Sequence, residues 1–293
     1  SWIRFFDKDS NTPLWNYETS AGDVKSVSIS SNGSYIVATT SYVATDNGKV
    51  HLFSKSSNDP LWTASIGNRV STSDISADGE YIVVGSTNDK VYLFGKDSSS
   101  PIWSYETGGN INSISISANG EYIAAVSDKV YIFDKDSSSP LWSYSTGEAV
   151  YTVSISADGE YIVAGSTTDK VYLFDKDSNT PLWSYTTDND VASVDISADG
   201  SSIVAGSYDT NVYLFDKSSS TPIWTYETGN NLKSVSISKD GEYIVAGSND
   251  KNIYLFDRNG SAPLWNYTTG GGIWSVAMSA DGEYLIGSSL DYK

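Results

Sequence analysis

The chain has no cysteine, and among 293 residues it has one histidine and one methionine. Without cysteine there are no disulfides, no thiolate nucleophile and no cysteine metal site. His51 and Met278 alone leave little for metal or redox chemistry, and no cofactor or metal is expected. No run of eighteen apolar residues occurs, so no helical membrane span or membrane insertion is expected. No apolar period of 3.6 residues is sustained, so helices should be nearly absent. Positive charge is also scarce. Eighteen Lys and Arg stand against 36 Asp and Glu, a formal net charge of −18. That disfavours nucleic acid and anionic membrane as partners, because both require a cationic surface.

Proline is rare as well, and its placement is regular. All seven prolines (Pro13, Pro60, Pro101, Pro140, Pro181, Pro222, Pro263) are followed by Leu or Ile and then Trp, at spacings of 47, 41, 39, 41, 41 and 41 residues. A glycine follows each proline after 20 residues in the first copy and 19 in the rest: Gly33, Gly79, Gly120, Gly159, Gly200, Gly241 and Gly282. A fixed period of this length marks a repeat architecture.

Each unit holds four β-like runs, clearest in the fourth copy. "VYTVSIS" (150–156) alternates apolar and polar, and "ADG" then makes a tight turn with Gly159 suited to positive φ. "EYIVAGS" (160–166) is a nearly continuous apolar run, "VYLFD" (171–175) is β-branched and aromatic, and "PLWSYTT" (181–187) is the fourth. Four strands at a period near 41 residues predict an all-β, seven-bladed β-propeller with four antiparallel strands per blade, labelled A to D from the inner edge outward. Proline cannot donate to a sheet ladder, so the start of the outermost strand D suits it. The Ala-Gly pairs of strand B (Ala164–Gly165, Ala205–Gly206, Ala246–Gly247) would let neighbouring blades pack closely.

"SADGEYIVAGSTTDKVYLFD" resembles the WD-repeat pattern, and "DKDSNTPLWSYTTD" resembles the PQQ-like propeller repeat, whose outer-strand Trp docks on the next blade. The resemblance covers the whole chain. The Gly-His dipeptide of WD repeats is missing from every unit and Phe-Asp replaces Trp-Asp, so the WD-type His-Asp network cannot form. Similar propellers are frequent in prokaryotic, including archaeal, cell-surface proteins, which implies an extracellular or cell-surface address. The PQQ-like likeness also implies an alternative reading as a quinone-dependent oxidoreductase, of whose calcium, cations and aromatic platform only fragments are present.

The two ends of the chain complete one count. "IWSVAMS" (273–279) and "EYLIGSS" (283–289) read as a seventh A and B, while "WIRFFD" (2–7) and the run at Pro13 read as C and D. Continuing from Lys293 to Ser1, Pro263 and Pro13 lie 43 residues apart, near the usual 41. Blade 7 is therefore expected to close by joining amino-terminal strands C and D to carboxy-terminal strands A and B, making residues 1–293 one domain.

One face of such a molecule carries the A–B and C–D loops, which are nearly identical from blade to blade. The B–C and D–A loops differ: blade 1 has the insert "TTSYVATDNGK" (39–49), and blade 3 is cut to "VSDK" (126–129). Asymmetric binding is more easily built on the irregular face. The second position of strand A lies near it, with occupants Lys25, Ser71, Asn112, Tyr151, Ala192, Lys233 and Trp274. Lys25, Lys233 and Trp274 could stack a planar or sugar ring and pair with an anionic group, with Arg69 and Tyr151 contributing. Against that stands the plainer reading of solvated rim lysines and a Trp that plugs the channel.

The remaining polar features have structural explanations. The "DKDS" loops place Asp two apart, as at Asp175 and Asp177, but lack an EF-hand spacing and suit turn capping. Asp74 and Asp195, which replace a repeated Ser, suit hydrogen bonds between blades, and His51 stands where Tyr is usual. Sequons occur at Asn32, Asn259 and Asn266 and matter only in a glycosylating secretory setting. No nucleophile motif, His pair or spaced carboxylate pair is present, so a non-enzymatic scaffold is expected, binding a protein, peptide or glycan on its irregular face. A building block that self-assembles into a layer or filament is the other non-catalytic reading.

Overall fold

The structure, a computed structural model, describes residues 1–19, 22–42 and 46–291. Part of the blade 1 insert, residues 43–45, lies outside them. All regular structure is β. The amino-terminal pair is β1 (Trp2–Phe6) and β2 (Pro13–Glu18). Blade 1 is β3 (Asp23–Ile29), β4 (Tyr35–Tyr42), β5 (Asn47–Ser54) and β6 (Trp62–Ser65); blade 2 is β7 (Val70–Ile75), β8 (Tyr81–Ser86), β9 (Lys90–Gly95) and β10 (Trp103–Glu106). Blade 3 is β11 (Ser113–Ile116), β12 (Tyr122–Val126), β13 (Val130–Asp134) and β14 (Trp142–Tyr144). Blade 4 is β15 (Val150–Ile155), β16 (Tyr161–Ser166), β17 (Lys170–Asp175) and β18 (Trp183–Thr186); blade 5 is β19 (Val191–Ile196), β20 (Ser202–Ser207), β21 (Asn211–Asp216) and β22 (Trp224–Glu227). Blade 6 is β23 (Leu232–Ile237), β24 (Tyr243–Ser248), β25 (Asn252–Asp257) and β26 (Trp265–Thr268), and β27 (Ile273–Met278) and β28 (Leu285–Ser289) follow.

Strands β3 to β26 form six four-stranded sheets in sequential order, while β1–β2 and β27–β28 are two-stranded sheets. The terminal pairs carry C–D and A–B sequence respectively, so the strand set is that of the expected seven-bladed propeller. The chain divides into two compact units, residues 1–127 with 132–141 and residues 128–131 with 142–293.

In the first unit the amino-terminal pair packs on blade 1. Ile3 and Trp15 are buried with Ile36, Ala38 and Phe53, and Phe5 stacks on Trp15 at 5.3 Å. Blade 1 in turn buries Val37, Val50 and Leu52 against Val70, Ile75, Ile82, Val84 and Phe94 of blade 2. The second unit repeats this scheme. Val163, Val171 and Leu173 of blade 4 are buried with Val191, Val194 and Ile196 of blade 5, and Val204, Val212 and Leu214 with Val235, Ile237 and Ile244 of blade 6. The core therefore lies between successive sheets. This explains why strand B, covered on both faces, is an unbroken apolar run.

Two glycine positions set this spacing. A Cβ on Gly165 would lie 2.5 Å from Val191 Cγ1, so the strand B glycine admits the next blade. Gly79 sits at φ +79° in the A–B turn, with Ser76 and Asp78 closing the turn around it.

Six of the seven outer-strand tryptophans dock as the repeat implies. Trp183 Nε1 donates to the Lys217 carbonyl at 2.9 Å, and its ring lies 5.3 Å from Phe215 of the next blade. The same indole bond runs from Trp15 to Lys55, Trp62 to Lys96, Trp103 to Lys135, Trp142 to Lys176 and Trp224 to Arg258.

Two stability predictions follow from this packing. Trp183→Phe keeps a ring and removes the donor, leaving the Lys217 carbonyl without it. Urea titration should show a loss of about 1–3 kcal/mol. Deleting residues 1–11 strips Ile3 and Phe5 from a buried cluster, and should lower stability by about 3 kcal/mol or more, seen as a lower midpoint of the main unfolding transition. An unchanged midpoint would mean that β1 only decorates the surface.

Candidate functional site

The irregular position of strand A has a structural cause. In the A–B ladders of six blades the register shifts around the second residue of strand A: Val24 and Ser26 pair with consecutive residues of β4, and Lys25 is left over. The same shift leaves out Ser71, Tyr151, Ala192, Lys233 and Trp274. Each is the extra residue of a β-bulge. A bulge residue has no ladder partner, and such sites re-aim side chains. Its side chain is therefore released from the packing that keeps the neighbouring positions uniform.

In the second unit these residues form a row. Val194 N donates to Thr152 Oγ1 at 3.3 Å, Val235 N to Ser193 Oγ at 3.1 Å and Val276 N to Ser234 Oγ at 3.1 Å. Successive A strands are thus in equal register, which aligns Tyr151, Ala192, Lys233 and Trp274 at one end of β15, β19, β23 and β27. Trp274 is 64% exposed and Tyr151 41% exposed. Lys233 is half-buried, with its Nζ 4.4 Å from the centre of the Tyr208 ring and 3.3 Å from the Tyr208 hydroxyl oxygen.

The five residues expected to form one site do not all share this row. Tyr151, Lys233 and Trp274 do. Lys25 and Arg69 belong to the first unit, and each faces a carboxylate: Lys25 Nζ is 3.7 Å from Asp23 Oδ2, and Arg69 Nε donates to Asp46 Oδ1 at 2.8 Å. Arg69 immediately precedes β7 and is not a bulge residue.

Sequence reasoning missed Tyr208, the partner of Lys233. Its one signal is an aromatic ring after strand B where other blades have Thr87, Thr167 or Asn249. Sequence reasoning also passed over the carboxylates around the row. Asp209 Oδ2 accepts from the Tyr213 hydroxyl at 2.6 Å and from Asp188 N at 3.0 Å, bracing the B–C turn against the D–A loop. Burial and Asp209 together push the Tyr213 hydroxyl well above its ordinary pKa. Asp250 repeats the arrangement with Tyr254 and Gly229 N, both at 2.7 Å. Asp190 titrates above the usual carboxylate range because of burial first and then the negative charges of Asp169 and Glu148. The B–C turns also carry non-glycine residues at positive φ, including Asp89, Asp169, Thr210 and Lys251. The A–B turns use glycine there.

The other candidates resolve into structural roles. Asp175 Oδ1 accepts from Asp177 N at 2.9 Å, capping its own loop. Asp195 links three A strands. Its Oδ1 accepts from Ile196 N (2.9 Å) and Ser154 Oγ (3.0 Å), and its Oδ2 from Ile237 N (3.0 Å) and Ser236 Oγ (3.1 Å). Burial raises its pKa, against the pull of those four donors. Asp74 likewise takes Ile75 N and, from the next blade, Ile116 N. Among the described residues no group of three or more His, Cys, Asp or Glu is placed to hold a metal ion.

Blades with an outer-strand Trp docked on the next blade's Phe define a β-propeller of PQQ-like repeats. The sequence model of the family described as outer membrane protein assembly factor BamB matches residues 46–158 and 126–281, and the chain belongs to that family. No curated protein matches the chain.

His51 supplies a pH test of this packing. It is buried in β5, with Nδ1 3.0 Å from Thr63 Oγ1 and Nε2 3.3 Å from Thr40 Oγ1. Burial, and then the charge of Lys49, push its pKa down from 6.5 to about 4. A depressed folded value means that the unfolded chain takes up the proton first. The contribution of neutral His51 is therefore complete above pH 6.5 and is lost as pH falls from there towards 4. Its full size is about 3 kcal/mol. His51→Tyr, which restores the residue of the other interior copies, should remove that share of the acid sensitivity in urea titrations across this range.

Proposed function

We propose that the protein is a non-catalytic binding scaffold that presents its B–C and D–A loops, at the cell surface or outside the cell, to a protein or peptide partner. The observation that carries this reading is the bulge row. A repeat that is nearly identical elsewhere places Tyr151, Lys233 and Trp274 at unpaired positions, and leaves an indole 64% exposed. Exposed Trp and Tyr are typical anchors of protein interfaces. The backbone supports the same face: the non-glycine residues at positive φ cluster in its turns, and strain of this kind persists where surrounding structure holds it. The family's own description, an assembly factor, is also a scaffold's role.

Peptide and glycan arrays probed with the labelled protein test this reading. Hits should weaken at least tenfold with Trp274→Ala. Because Trp274 is exposed, that variant should keep the parent's thermal unfolding. Hits indifferent to Trp274, or reduction of a quinone-coupled dye, would replace this reading with a uniform adhesive surface or an oxidoreductase.

A further inference from the structure

The row displays aromatic surface, and the charges around it select among ligands. Lys233 is its one cation, and the ammonium is already held on the Tyr208 ring and hydroxyl. The neighbouring carboxylates are engaged by neutral donors. Asp209 takes a tyrosine hydroxyl and main-chain N–H groups, Asp250 does the same one blade on, and Glu148 Oε2 accepts from Thr167 Oγ1 at 3.2 Å. These bonds do not neutralise the carboxylates, and Lys129, Lys170 and Lys251 on the same turns are fewer than the acidic side chains of this face. Among the described residues of the second unit, ion pairs lie with the A–B and C–D loops, as Lys176 with Glu160 and Asp177, and Arg258 with Asp216, and those loops also hold carboxylates on neutral donors, as Asp158 and Asp199.

An anionic glycan or acidic peptide would meet this charge unfavourably, and a neutral glycan would leave it unanswered. A Lys or Arg side chain answers both features. Its charge suits the carboxylates, and its stem or guanidinium lies favourably on an indole or phenol ring. The equal register of the A strands brings Tyr151, Lys233 and Trp274 to the same end of β15, β23 and β27, where one extended chain can follow them in turn.

We infer that this face docks a basic, extended segment of a partner protein, with its cations on Glu148, Asp169, Asp190 and Asp209 and a side-chain stem on Trp274. The inference rests on the reading of this face as a binding surface.

The test is fluorescence anisotropy with two labelled dodecapeptides, one alternating lysine with threonine and one alternating glutamate with threonine, in low and high salt. An acidic chain attracts any polycation, so the comparison between faces decides. The lysine peptide should bind, weaken in high salt, and lose at least tenfold with Trp274→Ala and with Glu148→Gln/Asp190→Asn together. It should lose less than twofold with Asp177→Asn/Glu242→Gln, which removes the same charge from the opposite face. Equal losses from either pair, no binding of the lysine peptide, or preference for the glutamate peptide would overturn the inference. If Trp274-dependent array hits then persist with glycans or acidic peptides, the binding-scaffold reading stands without it. If no hit depends on Trp274, that reading fails too.

Discussion

The bond from six of the seven outer-strand indoles to a carbonyl of the next blade is the constraint on which the rest depends. It recurs six times at 2.6–3.0 Å, and each time the ring lies against the next blade's Phe. The hydrophobic effect is non-directional and would tolerate sliding of one sheet over another. A hydrogen bond at a fixed offset does not. It sets the position of each sheet on its neighbour, and the strand B glycines then let the inner strands approach. Strand A inherits its register from this fit, and the line of bulge residues inherits its alignment from strand A.

The bulge reconciles two demands on one sequence. A repeat must keep its packing positions alike, because each blade is both the base and the cover of another. Recognition of a distinct partner needs positions that differ. Residues in the ladder cannot vary freely: Val191, Leu232 and Ile273 begin their strands fully buried. The residue after each of them is unpaired, and varies from Ala192 to Lys233 to Trp274. Diversity is confined to the place where it costs the core least.

This explains what could be read from the sequence. The proline-Trp pairs and the turn glycines located the strands, because backbone geometry restricts both residue types wherever they occur. The second position of strand A was legible as irregular, since seven copies could be compared within one chain, but the bulge behind it was not. Alternation alone gives no sign that Tyr151 is an extra residue rather than a paired one. Partners distant along the chain were less legible still. Lys233 meets Tyr208 from 25 residues away, and Arg69 meets Asp46 across a loop of irregular length. Lys25 and Lys233 occupy equivalent positions of the repeat, yet one ammonium faces Asp23 and the other the Tyr208 ring, and neither partner recurs at the equivalent position beside the other.

The acidic composition likewise follows the repeat more closely on one face than on the other. On the face with the uniform loops, Lys96 meets Glu80, Lys135 meets Glu121, Lys176 meets Glu160 and Arg258 meets Asp216, so the repeat supplies its own countercharge. Such exposed pairs add little stability. They do not neutralise that face, because Asp158, Asp199 and Asp240 of its A–B turns also accept from Ser hydroxyls and main-chain N–H groups. On the other face Asp209 and Asp250 are fixed by tyrosine hydroxyls and main-chain N–H groups, which orient a carboxylate without neutralising it. Ion pairs occur there too, as Arg69 with Asp46 and Lys90 with Glu106, so the two faces built from one repeat differ in regularity rather than in sign. Both faces keep an excess of carboxylate, and the face that carries the bulge residues is the one whose side chains differ from blade to blade.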